Sequence, residues 1–288
     1  MKYRITCIAA AAAVLWTVPA AANAAEDSYY VYEQDGVIFE YALDGKSNTI
    51  TVISVENPDG LVKLDLPENI NGSRVTAVEK NAFAGCLSLE EIVCPESVTS
   101  IGSGAFMSCT SLTTVTAKGV TAIPEDCFFA CTRLEKAEFS PELAEIGGDA
   151  FFGCTELELT LPETVTAIGA NALGFEADPH SGSIVPVYGF LIQGKTGSFA
   201  EKYASDSGID FLDPDNYIIG DVDGNGKTDA ADASFVQVEY ARLSTGVPAM
   251  FTKKQKILGD TNGDKKNDAS DASDILVIYS DLSTSTKP

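Results

Sequence analysis

Apolar residues return to the same slots every 22 or 23 positions through the middle of the chain. Phe83, Phe106, Phe128 and Phe151 keep this step, as do Cys86, Cys109, Cys131 and Cys154, and Val78, Ile101, Ile123, Ile146 and Ile168. The consensus is VTxIxxxAFxxCxxLxxIxxP, seen first as VTAVEKNAFAGCLSLEEIVCP and again as VTSIGSGAFMSCTSLTTVTAK. A fixed period of this length predicts a solenoid, in which each turn buries its apolar face against the next. Within a turn, Leu89, Ile92 and Cys94 point inward by strand alternation, so Glu91 and Val93 point outward. The same outward slots in later turns are Thr114 and Thr116, Lys136 and Glu138, then Glu158 and Thr160.

The pattern changes at both ends of this region. Tyr29 to Val62 alternates as YVYEQDGVIFEYAL and NTITVISV, which predicts hairpin strands covering the first turn. The last turn runs into GFLIQGKTGSFAEKYASDSGIDFL, Gly189 to Leu212, with a short helix expected from Ser198 to Ser207.

A second repeat of different chemistry follows. Asp221 to Asp232 reads DVDGNGKTDAAD, and Asp260 to Asp271 reads DTNGDKKNDASD. Oxygen-bearing side chains at loop positions 1, 3, 5, 9 and 12, with a backbone carbonyl at position 7, are the spacing that wraps a hard cation such as calcium. The candidate ligands are Asp221, Asp223, Asn225, Lys227 (through its carbonyl), Asp229 and Asp232, then Asp260, Asn262, Asp264, Lys266 (carbonyl), Asp268 and Asp271. The echo, at an offset of 39, also matches Ala233 to Ala272, Tyr240 to Tyr279 and Leu243-Ser244-Thr245 to Leu282-Ser283-Thr284. The unit is a cation loop followed by one helix, made twice. Asn216 to Gly220 reads as extended, so no helix is expected to enter the first loop. Position 6 needs φ > 0 and is Gly226 in the first loop but Lys265 in the second, a penalty of about 1 kcal/mol. With Lys265 and Lys266 beside the ion, the second of the two calcium sites is expected to be the weaker.

Composition narrows the setting. Residues 1–24 carry Lys2 and Arg4, an apolar run from Ile5 to Val18 and an Ala22-Asn23-Ala24 exit, the form of a secretory signal peptide. Its removal takes two of 19 basic residues against 42 acidic ones, so the formal charge of −23 becomes more negative still. That sign disfavours nucleic acid and anionic membrane surfaces as partners, and nothing after Ala25 is long and apolar enough to span a membrane. Cleavage also removes Cys7 and the single tryptophan, Trp16, leaving six cysteines. At fixed repeat slots these read as small apolar filler rather than as disulfides or zinc ligands.

The IGxxAFxxC signature resembles the BspA-type leucine-rich repeats of bacterial surface proteins, over about Leu64 to Leu212. The duplicated loop–helix segment, about Asn216 to Thr284, with Asp rather than Glu at position 12, resembles the type I dockerins, which dock onto a cohesin module of a scaffolding protein. Loop position 8, often apolar in that family, is Thr228 and Asn267 here. Together these imply an α/β solenoid, a leucine-rich-repeat stack with β caps, plus a small all-α calcium-binding dockerin domain. The implied boundaries are a signal peptide over 1–24, an N-terminal β cap over 25–63, the solenoid with its C-terminal cap over 64–212, and linker and dockerin over 213–288. The resemblance places the cohesin contact on Ala230, Ala231, Gln237 and Val238 in the first copy and Ala269, Ser270, Leu276 and Val277 in the second. Arg242 is the expected charged anchor. Helix packing is an equal reading for Val238, Leu276 and Val277.

The functional expectation is a secreted, extracellular, non-catalytic repeat protein held on a scaffold in a cellulosome-type complex, with the solenoid as a protein- or glycan-interaction module in polysaccharide degradation. A cell-surface adhesin and an accessory carbohydrate-binding protein are the alternatives. Catalysis has little footing. Glycosidases need two carboxylates facing across a cleft, and the acids at repeat slots such as Glu90, Glu135 and Glu145 fall at outward positions. A cysteine nucleophile would need a nearby histidine, and the only one is His180 in a DPHSG loop.

Overall fold

The computed structural model describes residues 29–34, 36–56 and 61–285, so the expected signal peptide lies outside the described residues. The chain divides into two compact units between Val185 and Pro186. The segment read from sequence as the closing cap of the stack belongs to the second unit.

The first unit opens with an antiparallel meander, β1 (Tyr29–Gln34), β2 (Val37–Asp44) and β3 (Thr49–Glu56). Val37, Phe39 and Tyr41 are buried on one face, as strand alternation requires. The chain then winds. β4 (Lys63–Asp65) is followed by β5 (Asn69–Ile70) and β6 (Ser73–Val78), and β6 pairs in parallel with β3. Each later turn contributes two short parallel strands. β7 (Glu91–Val93), β9 (Thr114–Ala117) and β11 (Lys136–Phe139) extend the sheet begun by β4. A second column is made by β8 (Ser100–Ile101), β10 (Ala122–Ile123), β12 (Glu145–Ile146) and the strand Ala167–Ile168. In the first column Lys63, Glu91, Thr114 and Lys136 stand in register, and an isolated bridge from Lys136 to Glu158 continues it.

The side of each turn opposite the main sheet is not helical, so within the repeats the expected α/β solenoid is a β-solenoid joined by turns. The AFxxC segment closes by short-range bonds such as Ala82 N–H to Glu79 O at 3.3 Å and Cys86 N–H to Phe83 O at 3.2 Å. Helix growth would need the intervening N–H groups, but these go to the next turn: Phe83 N–H to Ala105 O at 2.8 Å, Phe106 N–H to Cys127 O at 2.9 Å, Phe128 N–H to Ala150 O at 2.8 Å. A residue at positive φ before each cysteine, Gly85, Ser108, Ala130 and Gly153, ends the turn.

The core follows from this translation. Phe83, Phe106, Phe128 and Phe151 stack with ring centroids 5.1, 5.2 and 5.1 Å apart and interplanar angles of 10° or less. That spacing is close to the strand repeat of parallel sheets. Beside the rings runs a thiol ladder: Cys109 Sγ donates to Phe83 O at 3.1 Å, Cys131 Sγ to Phe106 O at 3.1 Å and Cys154 Sγ to Phe128 O at 3.2 Å. All six described cysteines are buried and none is in a disulfide. Burial pushes the Cys94 and Cys154 thiols up to about 12 and raises that of Cys127 well above its usual value. The thiolate is the nucleophile. Iodoacetamide at pH 8 is therefore expected to leave the six thiols unmodified in the native protein and to modify all six in guanidinium; labelling of any of them under native conditions would contradict the ladder.

The second unit begins with a β-α-β element. Strands Leu191–Gln193 and Asp210–Leu212 pair in parallel and are joined by α1 (Phe199–Ser207), capped by the Ser198 hydroxyl and stopped by Gly208 at φ 68°. Residues 213–220 carry neither helix nor strand, where an extended stretch was expected over 216–220. Three helices follow: α2 (Ala230–Ser244), α3 (Lys253–Gly259) and α4 (Ala269–Ser285). Val222, Ala233, Val236, Phe251, Ala272 and Ile275 form their buried cluster, in which Ala233 and Val236 of α2 meet their sequence echoes Ala272 and Ile275 of α4. No helix among the described residues is long and apolar enough to cross a membrane.

Candidate metal centre

The first acidic loop is held in shape by its own carboxylates. Asp232, fully buried, accepts through Oδ1 from Val222 N–H at 2.8 Å and Asp223 N–H at 3.0 Å, and through Oδ2 from Asp229 N–H at 2.8 Å. Asp229 in turn accepts from Ala231 N–H at 2.7 Å, so the pair forms a capping box that starts α2. Asp221 accepts from Gly226 N–H at 2.9 Å through Oδ2, while Gly226 supplies the turn at φ 86°. Asp223 binds Asn225 twice, from its N–H and its side-chain amide, both at 3.0 Å.

This wiring brings Asp221, Asp223 and Asp232 together, with one oxygen of each within 4.8 Å of the others. Asp221 Oδ1 is buried and has no hydrogen-bond partner. A buried, orphaned carboxylate oxygen on a member of such a trio is costly without a positive partner. Burial raises the Asp232 carboxyl above its usual range, and the Asp223 charge adds to that, against the backbone N–H bonds that lower it. The all-oxygen donor set fits a hard cation, which takes six to eight oxygens when it is calcium. Asn225 and Asp229 flank the three carboxylates, and Lys227 lies exposed at position 7.

The second loop repeats the scaffold with Asn262 in place of the carboxylate at position 3. Asp271, also fully buried, accepts from Thr261 N–H at 2.9 Å and Asp268 N–H at 2.9 Å, and Asp268 accepts from Ser270 N–H at 2.8 Å. Asp260 accepts from Gly263 N–H at 2.8 Å and Lys265 N–H at 2.9 Å. Asn262 accepts from Asp264 N–H and Asp264 from Lys266 N–H, both at 2.9 Å. Among the described residues no second trio of carboxylates gathers as closely. Lys265 has φ 65°, the left-handed region that position 6 requires. Lys265→Gly is expected to relieve about 1 kcal/mol of strain and to tighten any cation bound there several-fold; a calorimetric titration giving an unchanged or weaker second site would refute this. The position-8 residues bond to the chain entering their own loop, Thr228 Oγ1 to Ile219 O at 2.8 Å and Asn267 Nδ2 to Lys256 O at 3.1 Å.

Of the expected partner positions, Ala230, Ala231, Gln237, Val238, Ala269, Ser270, Leu276 and Val277 are exposed. Val238 at 52%, Leu276 at 43% and Val277 at 58% are too accessible for helix packing to account for them. Arg242 is half-buried, near Glu239 at 4.0 Å and donating to Pro248 O at 3.3 Å. Glu239 itself was not singled out by sequence. Fully buried, it accepts from Met250 N–H at 2.9 Å and Phe251 N–H at 3.2 Å and so fixes the approach to α3. The signal was an acid at i+3 from Val236 on the apolar face of α2, where the second copy has Ile278.

On the sheet face, Glu91, Val93, Thr114 and Thr116 are half-buried, and Lys136, Glu138, Glu158 and Thr160 exposed. Lys63 bonds Glu91 at 2.9 Å and Lys118 bonds Glu138 at 3.0 Å, both in solvent.

Residues 56–176 match the family described as BspA type Leucine rich repeat region, in six copies. No curated protein matches the chain. Among solved structures, a leucine-rich repeat protein of T. pallidum is 33% identical over 46% of this chain and 63% of its own, with a TM-score of 0.44. One from Bacteroides ovatus is 28% identical over 46% of this chain and 36% of its own, at 0.41. A leucine rich cell surface protein from Faecalibacterium prausnitzii is 17% identical over 60% and 66%, at 0.31. The chain thus spans less than two thirds of the first two. Six copies of the motif over 56–176, carried by the stacked turns described above, make this part of the chain a BspA-type leucine-rich repeat domain.

Proposed function

We propose that residues 216–285 are a calcium-dependent docking module of the dockerin type, which attaches an extracellular repeat stack to the cohesin of a scaffolding protein in a polysaccharide-degrading assembly. The repeat domain serves there as an interaction module, its exposed sheet face contacting a protein or glycan.

The observation that carries this reading is the gathering of the Asp221, Asp223 and Asp232 carboxylates, with Asp221 Oδ1 left orphaned, in a loop whose internal bonding is repeated 39 residues later. Asp221, Asp223, Asn225, Asp229 and Asp232, with the Lys227 carbonyl, would hold the first ion, and their counterparts the second. The ion supplies positive charge that offsets the mutual repulsion of the carboxylates, so its binding free energy adds to the stability of the module. The chain then presents the exposed Ala231, Val238, Ser270 and Val277 on the two helices as a largely apolar contact.

The test has two arms. Calorimetric titration of the full chain with calcium is expected to show two sites, the first tighter, and a panel of immobilised cohesins is expected to capture the chain in calcium and release it in EGTA. Absence of calcium binding would end the reading; calcium binding without capture by any cohesin would confine it to a metal-stabilised module.

A further inference from the structure

Three chain segments distant in sequence meet at Leu258. On one side it packs with Leu191 and Leu212, the two strands of the β-α-β element, and with Ile257. On the other its carbonyl accepts from Gly220 N–H at 2.8 Å, and Gly220 immediately precedes the first ligand position. Two residues further along α3, Asp260 is both the end of that helix and the first position of the second loop. Leu258 therefore lies within two residues of one loop along the chain and one hydrogen bond from the other.

Additional ties join the same parts. Tyr188 Oη donates to Met250 O at 3.2 Å. Asp213, buried at 4% exposure, accepts from Thr196 N–H at 2.7 Å and Asp215 N–H at 3.0 Å, and the Thr196 bond holds its carboxyl below the usual range. This ties the stretch after Leu212, which leads into the first loop, to the turn after Leu191–Gln193. Gly220 is closely seated: at φ 83° an added Cβ would lie 2.7 Å from Thr228 Cγ2 and 3.2 Å from Ile275 Cγ1.

We infer that cation binding in the two loops is energetically coupled through Leu258 to the folding of residues 191–212, so that the β-α-β element is part of the cation-stabilised unit. The inference rests on the cation-binding reading of the loops given above. A ligand that binds only the ordered loop stabilises everything whose order depends on that loop, and the coupling acts equally in the reverse direction.

Hydrogen–deuterium exchange on the full chain, in calcium and in EGTA, tests it. Chelation is expected to lower protection by about tenfold or more in peptides covering 191–193 and 210–212, together with those covering 222–236 and 258–275. Peptides over Phe83 to Phe151 provide the internal reference. By reciprocity, Leu212→Ala, which removes no ligand, is expected to weaken calcium affinity about three- to tenfold in titration. Loss of protection in the loops and helices with 191–212 unchanged would overturn the coupling and leave the docking proposal standing, as would a Leu212→Ala chain of unaltered calcium affinity. A chain that takes up no calcium at all would overturn both.

Discussion

Asp232→Ala is expected to collapse the loop–helix module with or without calcium, at a cost of about 3–5 kcal/mol. The substitution leaves Val222, Asp223 and Asp229 N–H groups without an acceptor in a buried site, and it removes half of the capping box that starts α2. Each buried unsatisfied donor costs about 1–3 kcal/mol, lessened where water can enter. Asp223→Ala is the informative contrast. Asp223 is exposed and, among the described residues, accepts from Asn225 alone, so the metal-free module should lose less than about 1 kcal/mol while calcium affinity drops sharply. Helix content near 222 nm during thermal melts in EGTA separates the two variants. Equal melting of both would show that Asp232 acts as a ligand alone.

Gly147→Ala is expected to destabilise the repeat domain by at least about 3 kcal/mol, a fall of about 6–12 °C in Tm for a domain of this size. A Cβ at Gly147 would lie 2.4 Å from Glu125 N and 2.6 Å from Pro124 C, both backbone atoms of the preceding turn. The turn cannot retreat without breaking the Gly147 N–H to Ile123 O bond of 2.7 Å and the pairing of β12 with β10. Gly102 and Gly169 sit as tightly against Lys80 N and Gly148 N, each at 2.4 Å. The neighbouring Gly148→Ala is the control: its nearest contact would be Ala170 O at 3.6 Å, ordinary van der Waals distance. If the two variants melted together, the close approach would not be what makes the slot a glycine.

What could be read from the residues depended on whether the governing contact was periodic. The Phe and Cys columns repeat every turn, so sequence spacing alone placed them in one core, and strand alternation placed Glu91 and Val93 on the opposite face from Ile92. The requirement for φ > 0 at loop position 6 is local, and Lys265 meets it at 65°. The turn chemistry was harder. The AFxxC segment has the apolar content of a short helix, and only the bonds from Phe83, Phe106 and Phe128 N–H to the next turn show why it is none. Contacts made once were invisible. Leu191, Leu212 and Leu258 come from segments with no shared period, and Glu239 occupies a slot whose copy is Ile278, so neither the shared apolar cluster nor the buried carboxylate beneath Met250 and Phe251 followed from pattern.

The evenly spaced rings of Phe83, Phe106, Phe128 and Phe151 have a consequence for how such a chain can change length. Because every ring presents nearly the same surface above and below, excising the 22 residues from Phe106 to Cys127 would bring Phe83 against Phe128 in an equivalent seat. Losing a piece that is not a whole turn of 22 or 23 residues would misalign rings, thiols and strands at once. Whole modules are thus exchangeable, and lineages can lengthen or shorten the stack by unequal recombination without redesigning its interior.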